Sequence, residues 1–176
     1  DKALETCQEV LRIRRLVHDD GSDEAAIALS HVGSSFLALG RLAEARSNIE
    51  EALGIFRRLH GEKHPNVATA LDCIGVVLNK QGEYDEALKL FKKALKIKRH
   101  VYGEDHQEVA VTLRNIGGTL CDQGKHDEAV QVYEEALGVY TRALGVDNKH
   151  NADMHLNIAL AKCEIGDVAG ALESAS

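Results

Sequence analysis

The sequence predicts an all-α fold, a right-handed superhelical α-solenoid of antiparallel helix hairpins. Glycines recur every 42 residues without insertion or deletion, at Gly40, Gly82, Gly124 and Gly166. Alanines repeat at the same interval, at Ala45, Ala87, Ala129 and Ala171. Between these positions, apolar residues follow helical spacing, as in Val67, Leu71 and Ile74. A fixed period of this size indicates one supersecondary unit stacked several times.

Composition limits the kinds of partner that the protein is expected to bind and the cell compartment in which it is expected to function. The formal net charge of −7 disfavours nucleic acid and anionic membranes, which attract positively charged proteins. Cys7, Cys73, Cys121 and Cys163 show no CxxC pair and no spacing of a secreted scaffold, which favours reduced thiols and a cytoplasmic location. No apolar run approaches the ~20 residues that span a bilayer, and no signal-peptide pattern opens the sequence.

The period divides residues 1–176 into one array of repeats. We expect residues 1–22 to form the second helix of a truncated repeat, followed by repeats at 23–64, 65–106 and 107–148 and a partial repeat at 149–176. The first helices are predicted at about Asp23–Leu39, Pro65–Lys80, Gln107–Asp122 and Asn151–Glu164. Each ends near a periodic glycine, where a left-handed cap would reverse the chain.

The second helix of each repeat begins with acidic residues and ends with basic ones, as in Asp85-Glu86 and Lys98-Arg99-His100. Both charges complement the helix dipole, so the basic ends have a structural explanation before a functional one. Between repeats a glycine stops one helix, and Pro65 or a short polar side chain starts the next.

The motifs within each repeat resemble a known family. The first helix carries Leu71-x2-Ile74-Gly75-x2-Leu78 and the second carries Ala87-x3-Phe91. This pattern resembles the tetratricopeptide repeat, whose usual length is about 34 residues. The longer period, the ALxIxR ending and the GExHP junction resemble the extended repeats of kinesin light chains and of related arrays fused to signalling NTPases. The fourth repeat departs from the pattern, with His155, Ala159, Lys162 and Ala175 at motif positions.

Small residues explain why such hairpins stack. Gly33, Gly75 and Gly117 lack a side chain, and Ala45 and its equivalents have a short one. The two helices of a hairpin can therefore approach to about 8 Å, at the small end of the usual range. Each hairpin then buries its remaining apolar face against a neighbour, and the small rotation per repeat is expected to curve the array.

The resemblance implies that the first helices line a concave face that takes an extended or helical peptide from another protein. The residues expected in this groove are Ser30, His31, Asp72, Cys73, Arg114, Asn115 and Asn157. Asn115 and Asn157 are the first choice for contacts, since an amide can both donate to and accept from a peptide backbone. The alternative is that they bond within the array. Arg114 could receive a carboxylate or phosphate, or be neutralised internally.

Of two ligand classes that related arrays bind, a C-terminal carboxylate is not expected in this groove, and an acidic motif is an open alternative that the residues do not support. Chaperone-binding members use a lysine four residues before the Asn, where this chain has Ile27, Thr69, Val111 and Asp153. Kinesin light chains engage acidic motifs through a basic groove, and here the clear cations on the first helices are Arg114 and Lys80. The residues therefore do not support a carboxylate clamp or an acidic motif in this groove.

The sequence proposes no catalytic chemistry. It has no HExxH or Cys/His ligand set, and its glycines do not form a GxGxxG or GxxxxGK loop. We therefore expect a non-enzymatic scaffold or cargo adaptor without cofactor or metal. The alternative is a structural spacer or self-associating sensor arm of a larger signalling protein. Leu4, Leu11 and Leu172, at the uncapped ends, would then support end-to-end association at high concentration.

Overall fold

The computed structural model describes residues 21–166, together with Glu5, Glu9 and Arg12. Residues 21–166 form seven α-helices and no strand: α1 (Asp23–Ala38), α2 (Leu42–His60), α3 (Pro65–Lys80), α4 (Tyr84–Tyr102), α5 (Gln107–Asp122), α6 (His126–Leu144) and α7 (Lys149–Ile165). The first helices of the repeats thus begin at or within two residues of their predicted positions. Most of the truncated repeat at 1–22, and the last helix predicted after Gly166, lie outside the described residues.

The helices belong to two compact units, Asp1–Glu83 and Tyr84–Ser176. In the first unit α1 packs on α2 and α2 on α3, and α1 also touches α3. In the second unit each of α4, α5 and α6 packs on the helix that follows it. Within the described residues, no helix is both long and apolar enough to cross a bilayer.

Small residues bring the helices of a hairpin together, as the repeat pattern predicts. A Cβ atom added at Gly33 in α1 would lie 2.5 Å from Ile49 Cγ1 and 3.1 Å from the Ala45 carbonyl oxygen, both in α2. The equivalent Gly117 in α5 faces Tyr133 of α6, where an added Cβ would lie 2.5 Å from Cε1 of the ring. The predicted close contact is confirmed at both glycines, because a side chain would occupy the space of the neighbouring helix.

Helix ends also follow the sequence. Gly40 and Gly124, at the ends of first helices, have φ values of +73° and +79°, so the predicted left-handed turns are confirmed there. Ser22 and Asn148 cap α1 and α7 by accepting hydrogen bonds from the Ala25 and Asn151 N–H groups.

Two histidines begin helices at the junctions between repeats. Nδ1 of His64 accepts a hydrogen bond of 3.2 Å from the Asn66 N–H, and His106 caps α5 in the same way. Each imidazole also stacks on a ring from the end of the preceding helix, His60 at 4.1 Å and Tyr102 at 4.5 Å between centroids. These side chains therefore connect the end of one helix to the start of the next.

The His64 cap predicts a pH dependence of stability. Burial, followed by the charge of His60, lowers the pKa of His64, while Asp23 partly opposes this. The unfolded chain then binds a proton more readily, so the free energy of unfolding should fall as the pH drops from about 7.5 through the unfolded pKa of about 6.5. The loss ends below the folded pKa. His64→Asn retains a capping acceptor and removes this titration.

Urea unfolding at a series of pH values, followed by circular dichroism, checks this. The free energy of unfolding of His64→Asn should vary less with pH than that of the wild type in this window. Identical slopes for the two proteins would contradict the assignment.

The junction before α7 is built differently from the others. Asn151 is only 5% exposed and occupies the position that valine holds in the two preceding repeats, Val67 and Val109. Its Nδ2 donates to the carbonyl oxygens of Val146 at 2.9 Å and Gly145 at 3.2 Å, and to Thr141 Oγ1 at 3.1 Å. This buried amide therefore supplies hydrogen-bond donors to the carbonyl groups of the turn between α6 and α7.

An ion pair in the second unit joins a buried lysine to a partly exposed glutamate. Lys98 in α4 is 2% exposed, and its Nζ lies 2.9 Å from Oε2 of Glu108 in α5. The sequence assigned Lys98 to a basic helix end that complements the helix dipole. In the structure the Lys98 side chain is buried. The equivalent positions of the neighbouring repeats hold Phe56 and Tyr140.

Candidate functional site

The first unit has a depression between α1 and α3 of about 200 Å³. Three predicted groove residues line it together: Ser30 and His31 from α1, and Cys73 from α3. Buried Ile49 and Phe56 of α2 contribute apolar surface. The Ser30 hydroxyl donates to the Ala26 carbonyl at 3.0 Å, whereas the His31 side chain is exposed. An apolar depression edged by polar side chains can accept one side chain of a ligand and hydrogen-bond its backbone.

Asp72 differs from its neighbour Cys73. It is 6% exposed, so its carboxylate lies within the protein rather than on the surface of the depression. Asp72 was expected in the groove because the two residues before each Ile-Gly or Val-Gly step were assumed to face the same way in every repeat. Asp72 is therefore not among the side chains that line this depression, whereas Thr69, one turn before Cys73, is.

In the second unit the predicted residues lie on α5 and α7. Arg114 and Asn115 of α5 and Asn157 of α7 are all half-buried. Within residues 21–166 their side chains form no hydrogen bond or ion pair. Of the alternatives left open by the sequence, internal pairing is therefore not seen for these three side chains. Their polar groups are available to a ligand.

The surroundings of Arg114 are aromatic and acidic. Burial raises the pKa of Tyr140, with Arg114 opposing the shift and Glu108 and Asp153 adding to it. The ring of Tyr140 stacks on His150 at 4.8 Å between centroids, and its hydroxyl has no hydrogen-bond partner among the described residues. Arg114 also opposes the rise in the pKa of Tyr133, whose main cause is burial. The charge of the Arg114 guanidinium thus acts on two buried tyrosines, Tyr133 and Tyr140.

Exposed leucines extend this face of α7. Leu156, next to Asn157, and Leu160, one turn further, are each 57% exposed. Leu156 is the periodic equivalent of Arg114, and Leu160 of Gly118. Leu160 was not among the predicted contacts, although its place one turn after Leu156 could have indicated it. These leucines offer apolar contacts beside an amide.

Three cysteines lie in the described part of the chain. Cys73, Cys121 and Cys163 form no disulfide within residues 21–166. Burial raises the pKa of Cys121, which lies within hydrogen-bonding reach of the Tyr133 hydroxyl, so its thiol is protonated at neutral pH. Among these residues, no group of three His, Cys, Asp or Glu side chains is placed to hold a metal ion.

Paired helices, glycine contacts within the pairs and a polar and apolar first-helix surface define a helical repeat protein of the protein-interaction class. The tetratricopeptide repeat model matches residues 24–72, 66–142 and 108–175. The chain therefore belongs to the tetratricopeptide repeat family, and the predicted all-α repeat fold is confirmed. No curated protein matches the chain in sequence.

Solved structures share the fold. BtubC (BKLC) from P. vanneervenii is 22% identical with a TM-score of 0.83, over 98% of this chain and 69% of that one. A kinesin light chain-like protein of Podosopora anserina, with nearly identical TPR-like repeats, is 17% identical with a TM-score of 0.77, over 98% and 82%. A Rap protein complexed with Competence and Sporulation Factor is 16% identical with a TM-score of 0.85, over 97% and 45%. At these identities the likeness shows the fold alone, and the predicted resemblance to kinesin light chain-like repeats is confirmed at that level.

Proposed function

We propose that this chain is a non-catalytic scaffold or cargo adaptor of the cytoplasm that binds a peptide segment of a partner protein on its first-helix face. Within each unit taken by itself, the surface meant is that of α1 and α3 in the first unit and that of α5 and α7 in the second. The sequence predicts it to be the concave one. The main support is the depression in the first unit, where Ser30, His31 and Cys73 meet over an apolar base.

The second unit adds chemistry suited to an extended peptide. Unpaired amides at Asn115 and Asn157 can hold backbone groups whatever the peptide's side chains are. Leu156 and Leu160 can contact apolar side chains of the peptide. The Arg114 guanidinium can donate hydrogen bonds to a carboxylate of the peptide. The Rap protein complexed with Competence and Sporulation Factor gives a precedent for ligand binding by this fold.

The test uses peptides selected from a random displayed library against the wild-type protein. Alanine at both Asn115 and Asn157 should weaken their binding about tenfold or more, because two buried backbone contacts lose their partners. Helicity and the melting temperature should stay nearly unchanged, since neither amide is bonded within the described residues.

The matched control replaces Asn48, on α2, and Gln107, at the exposed start of α5, with alanine. This double variant should bind the selected peptides like the wild type. Equal weakening by both double variants, or a parallel loss of stability and binding, would contradict the proposal.

The alternative role as a spacer or self-associating arm depends on Leu4, Leu11 and Leu172, which lie outside the described residues. Analytical ultracentrifugation of the same samples distinguishes the two. A monomer that binds peptide supports the interaction module, whereas concentration-dependent association without peptide binding would support the alternative.

A further inference from the structure

A second groove lies on another surface of the second unit, between α4 and α6. It encloses about 510 Å³, larger than the depression on the first-helix face of the first unit. Leu88, Ile116, Leu120 and Val132, from α4, α5 and α6, supply its apolar lining. Because Arg114 and Asn115 do not line it, this groove is separate from the proposed peptide-binding face.

Lysines stand at the edge of this groove. Lys89 and Lys92 come from α4, and Lys125 directly precedes α6. Lys89 pairs with Glu86 at 2.6 Å, and Asp85 accepts a hydrogen bond of 2.9 Å from Gln123. Lys92 and Lys125 form no ion pair with any residue that the structure describes. Three lysines and two carboxylates, those of Asp85 and Glu128, therefore line the groove.

The positive charge continues along α4. Lys89, Lys92, Lys93 and Lys96 are all exposed, and their spacing puts them on one face of the helix. The equivalent positions are Ser47, Glu50, Glu51 and Gly54 in α2, and Gln131, Glu134, Glu135 and Gly138 in α6. Each neighbouring helix thus has two glutamates where α4 has lysines. Repeat packing does not require these lysines, since the same positions elsewhere carry the opposite charge.

We propose that the α4–α6 groove docks an acidic segment of a partner protein, which places an apolar side chain against Leu88 and Val132 and its carboxylates against the lysines. Charge complementarity selects this occupant, because the lysine face is a local exception in a chain of net charge −7. A bare polyanion fits less well, since it leaves the apolar lining uncovered and is repelled by the rest of the chain.

Short synthetic peptides rich in Asp and Glu, with leucines at varied spacing, are the probe. Fluorescence anisotropy should show binding by the wild type. Lys92→Glu with Lys125→Glu should raise Kd about tenfold or more, because like charges then face each other across the groove. The matched variant, Lys63→Glu with Lys149→Glu, changes the net charge equally at exposed positions outside the groove, and its Kd should stay within about twofold of the wild type.

Changes in the peptide separate the docking modes. Replacing its leucines with serine should weaken binding to the wild type, because the apolar lining then has no partner. The proposal is overturned if no acidic peptide binds, or if both lysine variants bind equally. It is also overturned if binding depends on Asn115 and Asn157, or if leucine-free polyglutamate binds as tightly. Dimerisation through Lys92 and Lys125 in ultracentrifugation would instead assign the groove to a second copy.

Discussion

Gly117→Ala is expected to lower the free energy of unfolding by about 1–2 kcal/mol. The new Cβ would lie 2.5 Å from Cε1 and 2.7 Å from Cδ1 of Tyr133. The ring is 5% exposed, and its hydroxyl interacts with Cys121, so it has little freedom to move away. The overpacking cost of up to about 3 kcal/mol exceeds the gain of about 1 kcal/mol from removing a glycine inside a helix. Thermal unfolding followed by circular dichroism measures the difference.

The same substitution at a second glycine provides a control with the opposite sign. Gly54, inside α2, has open space where a Cβ would be added. Gly54→Ala should therefore raise the free energy of unfolding by about 0.5–1 kcal/mol through backbone entropy alone. Gly138→Ala, in α6, meets only the flexible end of Arg142 and should cost little. If Gly117→Ala stabilised the protein as Gly54→Ala does, the close packing of α5 on α6 would be wrong.

Asn151→Asp is expected to lower the free energy of unfolding by about 3 kcal/mol at neutral pH. The substitution keeps the shape of the side chain but removes the Nδ2 donor to Thr141, Gly145 and Val146. A carboxylate there would be buried and would face the two backbone carbonyl oxygens. Chemical denaturation at pH 7 measures the loss.

The pH dependence of this variant tests the cause. Burial and the facing carbonyl groups should raise the folded-state pKa of the new carboxyl above its unfolded value. The destabilisation is therefore full above the folded pKa and should shrink as the pH falls through it, because the protonated side chain is neutral. A deficit that does not change with pH would indicate lost hydrogen bonds without a buried charge.

Asn148 supplies the matched control three residues away. Its side chain accepts a hydrogen bond from the Asn151 N–H at 3.0 Å and donates one to the Gly145 carbonyl at 2.6 Å. Aspartate also caps helices well, so Asn148→Asp should change the free energy of unfolding by less than about 1 kcal/mol. Equal losses from the two substitutions would contradict the special role of the buried amide.

Most of the fold could be predicted from the sequence because its determinants are local. Helical spacing and periodic glycines specify where α1, α3 and α5 begin and where the chain reverses. The same periodicity predicted that Ser30, His31 and Cys73 belong to one groove, and these three residues line the same depression. Asp72 and Lys98 show the limit of such reasoning, since both are charged residues that the folded chain buries. Burial depends on which helix packs beside them, and the spacing of one helix does not contain that information.

The sequence by itself determined the repeat, its helix hairpins and the family, because each follows from small and apolar residues at fixed intervals along the chain. Tertiary structure decided which polar side chains are hydrogen-bonded inside the protein and which are available to a ligand. The Asn151 side chain hydrogen-bonds to the turn before α7, whereas the side chains of Asn115 and Asn157 have no partner among the described residues. It also formed the α4–α6 groove, whose lysines the sequence contains but whose apolar lining exists only once three helices pack together. A binding surface combines side chains that are distant in sequence, so it exists only after the helices have packed together.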